Sequence, residues 1–345
     1  MSKNIFRLSF AFCAIFSIWL QSSSVYGQAF CALRDPATMI YEFYPDATSY
    51  KSIVRTVDNQ VREYVGSELP FSIHFNELGK HTLYVPIKDS KPLGVVHARS
   101  EAGNHGLTEI VWSLTPNLEV KDFAFQRCRS RARSAVESDD FKQQIIGMRF
   151  SDLKNLLSPD GQALAHGKLK PQYQSMAIAS TVVRSALKTI SVSKSAWRKD
   201  LAVLQPLYNA HHAFPNAVQV RKIEQPYDDR VVAEFNRRYV TPSGNLGSSI
   251  NRNGVLALQA IDSAGLNLGF VIKTTWSMNQ QSVKIWWTVS NTGEIKDVHA
   301  DGGWPDAMTE KAFRDVVGFN RSRLSECSTA AEIAGAEVLL LAKYN

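Results

Sequence analysis

Cysteine is scarce: four residues in a chain of 345, at positions 13, 31, 128 and 327. None stands in a Cys-x-x-Cys or Cys-x-x-Cys-His arrangement, which argues against thiol–disulfide exchange and c-type haem attachment. Histidine is equally dispersed. His211-His212 is the one adjacent pair, and no further His, Asp or Glu follows at ligand spacing, so no metal centre is expected. His74, His81, His97 and His105 are scattered over predicted strands and turns and read as structural or solvated. Gly-x-Ser-x-Gly, His-Glu-x-x-His, Walker and dinucleotide fingerprints are all missing, so no hydrolase or transferase reading has a motif behind it. The net charge of +7 is a mild basic excess and no nucleic-acid signature by itself.

Long apolar runs are also few. The longest covers residues 8–20, too short to span a bilayer comfortably. It follows Lys3 and Arg7 and precedes a polar, small-residue stretch with plausible cleavage after Gly27 or Ala29, so residues 1–29 read as a secretory signal peptide. A lipoprotein reading fails because Phe30 stands before Cys31, where a small residue is needed. Cleavage would place the mature chain in the periplasm or outside the cell, with no integral membrane span. Cys31, Cys128 and Cys327 would then face an oxidising compartment, with one disulfide possible, one thiol left over and the pairing open.

What the chain does contain is a repeat. Shifted on itself by 175 positions, the segment 93–122 falls on 268–297 without a gap. Leu93-Gly94-x-Val96 meets Leu268-Gly269-x-Val271, Trp112 meets Trp287, and Glu119-x-Lys121-Asp122 meets Glu294-x-Lys296-Asp297. Nine of thirty positions are identical, where chance gives roughly two at average composition. Looser echoes flank the block: Tyr44-Pro45-Asp46-Ala47 with Phe214-Pro215-Asn216-Ala217, and Ser180-Thr181 with Ser328-Thr329. Two copies of one α/β unit follow from this, of ordinary domain size.

Periodicity predicts a helix over 48–65 and strands at 69–75, 81–87, 93–100, 107–114 and 120–127. Helices follow over 141–157, with a break at Gly147, and over 180–191, capped by Ser180. A helix over 193–209 joins the halves. The second half repeats the plan: a helix at 228–239, strands at 255–261, 268–275, 282–289 and 294–299, and helices at 308–317 and 329–341. The expected class is α+β, with two similar domains, each a small, mainly antiparallel sheet packed with helices.

Two features carry candidate chemistry. Arg127, Arg129, Arg131 and Arg133 alternate. If the strand continues, they form one basic stripe, and if the chain turns helical they spread out. The guanidinium forks suit phosphate oxygens; the alternative is a solvated edge strand protected by charge. Trp286 and Trp287 are adjacent, so on a strand one of them faces outward, where it could stack on an isoalloxazine or a partner; a sheet-on-helix core is the alternative.

The order of elements, the Pro45-Asp46-Ala47 entry, the Asn117–Asp122 turn block and Ala177-Ile178-Ala179-Ser180-Thr181 before the last helix resemble the FMN-binding domain family. That family comprises periplasmic, flavin-carrying subunits of ion-translocating electron-transport complexes and related regulators. The resemblance covers most of residues 43–191 and, more faintly, 213–342, as a degenerate tandem pair. It implies FMN held through its phosphate by a hydroxyl at a helix N-terminus, which carries over to Ser180 or Thr181. The arginine run replaces a family element, and Arg127, Arg129 and Arg131 are cofactor-binding candidates on their own chemistry. Ile178 stands where the family has glycine, and Ser328-Thr329 also lacks it, so both copies depart from the covalent attachment motif.

The implied organisation is a signal peptide (1–29), an FMN-binding-like domain (30–192), a linker helix (193–212) and a second, degenerate domain (213–345). The implied role is an exported flavin carrier in electron transfer, serving a redox protein or membrane complex and supplying no catalytic residue of its own. The alternative is a non-redox module that has lost the flavin and binds a protein partner or an anionic ligand.

Overall fold

The computed structural model describes residues 36–345 apart from positions 105, 172, 242–243, 246–249, 279–280 and 302–303. The expected signal peptide and Cys31 lie outside the described residues. The chain is α+β and builds two antiparallel sheets, each packed with helices.

In the first half, helix α1 (Ala37–Phe43) leads to strand β1 (Ser49–Val57) and helix α2 (Asn59–Glu68). Strands β2 (Gly79–Lys88), β3 (Val95–Gly103), β4 (Gly106–Leu114) and β5 (Val120–Arg127) then lie side by side in chain order. Short helical turns follow, and the long helix α3 (Met176–Ala196) closes the half. The second half repeats the sequence of elements. Helix α4 (Arg198–Ala213) precedes strand β6 (Gln219–Ile223) and helix α5 (Asp229–Tyr239). Next come β7 (Ile250–Ile261), β8 (Asn267–Met278), β9 (Gln281–Ser290) and β10 (Ile295–Ala300), again in chain order across the sheet. Helices α6 (Ala307–Arg314) and α7 (Ala330–Tyr344) end the chain.

The likeness between halves extends to single hydrogen bonds. At the β4–β5 turn the Thr115 N–H donates to Glu119 O, and Leu118 N–H to Thr115 O; at the β9–β10 turn Ser290 and Gly293 do the same with Glu294 and Ser290. The side-chain hydroxyls of Thr115 and Ser290 both accept the next N–H, from Glu119 and Glu294, at 3.1 Å. Gly147 and Gly318 reach back to the first residues of β5 and β10, donating to Val120 O and Ile295 O at 2.7 and 2.8 Å. Both adopt a left-handed backbone, at φ 82° and 89°, which glycine enters without strain.

Gly94 and Gly269 are also equivalent. A Cβ on Gly94 would lie 2.8 Å from the Leu114 carbonyl oxygen and overlap the Tyr44 hydroxyl, while one on Gly269 would strike Phe214 and the Val289 carbonyl. These two aromatics follow α1 and α4 and seal the same face of their sheets. The helix expected to link the halves is thus the counterpart of α1: it packs over Val271 and Trp286 on the second sheet, as Ile40 of α1 packs over Val96 and Val111 on the first.

Three expectations are corrected. Residues 49–57 form an edge strand, because Ile53, Val54, Thr56 and Val57 are β-branched and Asp58 caps the following helix at the Val61 N–H, 3.1 Å. Residues 69–75 make no ladder; their apolar side chains Leu69 and Ile73 are buried, and the Ile73 carbonyl is taken by Arg62 Nε at 3.1 Å. Trp286 and Trp287 are both buried, because helices cover both faces of the second sheet: Trp287 lies in the main core and Trp286 under α4.

Candidate functional site: a buried ion lattice and the cleft between the halves

Helix α3 opens at Met176, four residues before the predicted cap, so Ser180 and Thr181 sit inside it. Both hydroxyls donate to the Ala177 carbonyl, at 2.9 and 3.0 Å. Thr181 is buried and packs against Gly103 at the β3–β4 hairpin, where an added Cβ would lie 3.2 Å from its hydroxyl oxygen. The arginine run splits, because β5 ends at Arg127. Arg127 faces Glu109 across the ladder at 3.7 Å. Arg129 and Arg131 are exposed in the turn that follows. Arg133 folds back as a fork on Glu137, at 2.7 and 3.0 Å, and on the Phe125 carbonyl at 3.1 Å. The single stripe that an extended strand would have made is therefore not formed. In the second half Thr329 does cap its helix, in a capping box with Glu332.

Cys128 and Cys327 are free thiols. Among the described residues no group of three His, Cys, Asp or Glu could hold a metal ion, and no helix is long and apolar enough to cross a membrane. His212 stacks on Tyr208, with ring centroids 5.6 Å apart.

Two features that motif reading missed dominate the polar interior and the surface. The first lies between β2, β3 and α3. Glu77, His81, His97, Arg99, Glu101 and Lys188 are all buried. Arg99 Nη2 donates to Glu77 at 2.8 Å, and Lys188 bridges Glu77, at 3.0 Å, and Glu101. Arg184 adds a donor to Glu101 at 3.1 Å. His81 Nε2 meets the Glu77 carbonyl at 2.8 Å, and His97 Nδ1 meets Ser193 Oγ at 2.8 Å. Burial works against an ionised Glu77, but Lys188 and Arg99 outweigh it and hold its pKa below the usual carboxylate value. Burial, reinforced by Arg99, pushes His81 down to about 4 and His97 well below its ordinary value. The sequence signal was faint but present: His97, Arg99 and Glu101 alternate on one strand, and Lys188 stands on the inner face of α3.

The second feature is a cleft of about 670 Å³ between the halves. One wall is built by α2, α3 and α4, and the other by β8, β9 and the end of β10. Arg149, Lys194, Arg198, Lys273 and Lys284 line it, against the acids Asp58 and Asp301. Arg149 acts as a strut: its guanidinium pairs with Glu119 through Nε at 2.6 Å and crosses to the Ala300 carbonyl of the other half at 3.2 Å. Asn117 reinforces the junction, donating to Asn209 at 2.7 Å beside His299 at 3.3 Å. Ser180, Thr181, Arg127, Arg129 and Arg131 do not line this cleft. Comparison with family models, with curated proteins and with solved structures finds no match for this chain.

Proposed function

We propose that this is an exported binding module that holds a small anionic ligand in the cleft between its halves. The carrying observation is the cleft's composition: five cationic side chains against two acids, in a cavity of about 670 Å³. Small-molecule sites span roughly 300–1,000 Å³. Three of the five cations are paired with Glu119, Glu68 and Asp301, and the positive charge left over comes from Arg198 and Lys284. A concave surface with a net positive balance focuses the field and raises the local concentration of anions. Leu118, Ile190 and Leu201 add apolar wall beside the charges. The role is binding rather than catalysis. The shifted acids and histidines of the first half are locked in ion pairs and hydrogen bonds away from the cleft.

FMN is the first ligand to test, because the sequence resemblance implies it and its phosphate is anionic. With flavin held, the protein would carry electrons in the periplasm for a redox protein or membrane complex, the cofactor supplying the redox chemistry. The experiment is an absorption spectrum of the purified full-length mature protein, followed by titration with FMN and with inorganic pyrophosphate. Saturable binding of either supports the proposal, and flavin bands in the isolated protein assign FMN. A colourless protein that binds neither, at low salt, overturns it.

A further inference from the structure

The cleft cations are not equivalent, and their differences say what shape of charge the ligand carries. Three of the five already have acidic partners. Arg149 is held by Glu119, Lys194 by Glu68 at 2.9 Å, and Lys273 by Asp301 at 2.7 Å. Of the two lining acids, Asp301 is thereby used and Asp58 caps α2. Arg198 and Lys284 remain, both exposed and in no ion pair among the described residues. They come from opposite walls: Arg198 from the first turn of α4, and Lys284 from β9, where its carbonyl anchors the Asp301 N–H at 2.7 Å.

We infer that the cleft takes a multiply charged anion, such as a phosphate ester or pyrophosphate, gripped by Arg198 on one wall and Lys284 on the other. This rests on the anion-binding reading above. Two like charges lining one concave space repel, and a multiply charged anion held between them turns that repulsion into two attractions. A guanidinium supplies a planar fork of donors and an ammonium a compact point charge, a pairing that suits adjacent phosphate oxygens. A single carboxylate can neutralise only one wall. Occupancy therefore ties the two halves together, at the junction that Arg149 and Asn117 already bridge.

Calorimetric titration of the full-length mature protein, with pyrophosphate and with acetate, tests this on wild type, Arg198→Gln and Lys284→Gln. Both side chains are exposed, so the variants keep the fold, and their circular dichroism verifies it. Each substitution should weaken pyrophosphate binding by about 10-fold or more, the loss of one charged hydrogen bond. Acetate should bind at least about 10-fold more weakly than pyrophosphate, for want of the second such bond. Pyrophosphate should also slow amide exchange on both walls, in residues 194–205 and 284–301. Binding that depends on one of the two residues only, or protects one wall only, overturns the bridging inference and leaves the anion site standing. Absence of any pyrophosphate or FMN binding to wild type overturns both.

Discussion

The two halves share a backbone plan and differ in what fills it. At equivalent positions on the third strand of each sheet, the first half has His97, Arg99 and Glu101 and the second has Ile272, Thr274 and Trp276. All but Ile272 carry groups that call for a charge partner or a hydrogen bond when buried, and the Trp276 indole N–H has none among the described residues. The first half pairs His97 with Ser193, Arg99 with Glu77 and Glu101 with Lys188, and leaves His97 Nε2 and Arg99 Nε and Nη1 without a hydrogen bond among the described residues. In the second half Thr274 accepts the Trp287 N–H at 2.8 Å, and Trp276 packs edge-on against Phe313. The tryptophan common to both, Trp112 or Trp287, sits on the neighbouring strand in either case and finds a hydroxyl, Ser185 or Thr274. Turns, left-handed glycines and the aromatic seal over Gly94 and Gly269 thus hold the shape, while the core between sheet and last helix is free to be ionic or aromatic.

That contrast breaks most sharply at Lys188. Lys188→Met leaves Glu77 and Glu101 with too little positive charge inside the first half, and removing one partner of a buried ion pair costs about 3–5 kcal/mol. Urea unfolding of the variant should show a loss of that size. Thr274→Val, the nearest uncharged analogue in the second half, should cost about 1 kcal/mol, since only one neutral hydrogen bond is lost. Equal losses would mean that the lattice is no more demanding than an ordinary hydrogen bond.

The backbone equivalence is tested by Gly94→Ala and Gly269→Ala. Both insert a methyl against an aromatic ring and a carbonyl oxygen, and overpacking of this kind costs about 1–3 kcal/mol. Gly269 should be the worse, because its φ of 152° adds backbone strain. A neutral result at either position would separate the two halves where they otherwise agree.

Acid should separate them too. His81 titrates at about 4 in the folded chain and near 6.5 when unfolded. The unfolded chain therefore binds more protons between those values, and stability falls as pH drops through that window. His97 acts in the same direction, and Glu77 adds its loss at lower pH, where its own depressed pKa is crossed. Glu234 of the second half, at about 2 because Arg238 and Tyr344 hydrogen-bond its carboxylate, titrates below that range. Hydrogen-exchange mass spectrometry from pH 7 to 4.5 should show protection declining first across residues 77–103 and 181–193. Uniform decline in both halves would refute the assignment.

The smallest effects belong to the matched helix caps. Asp58→Ala and Asp228→Ala each remove an N-cap at the first helix after the edge strand, where the side chain accepts from Val61 or Val231. Each should lower stability by about 1 kcal/mol, measurable as a small shift in the urea midpoint.

Much of the second half was legible, because its central strands are rich in β-branched and aromatic residues and its closing helix carries a side-chain cap at Thr329; the short edge strand Gln219–Ile223 was not. The first half misled where local and tertiary signals disagree. Apolar residues at 53, 54, 57, 61 and 64 fit a helical step, yet β-branching and the Asp58 cap divide them into a strand and a helix. Ser180 looks like a cap, but α3 starts a turn earlier, and Ser180 and Thr181 turn their hydroxyls onto the helix's own carbonyl. The candidate cleft left almost no linear trace: Arg198 and Lys284 stand far apart in sequence and line one cleft only in the folded chain.

The sequence by itself determined the repeated plan, since strand alternation, turn hydroxyls and glycines act over a few residues and are written locally. The tertiary structure decided which charges are neutralised and which are left to line the cleft. Burial and pairing are properties of distance in space: Glu77 finds Lys188 across more than a hundred residues, while Arg198 and Lys284 have no such partner among the described residues.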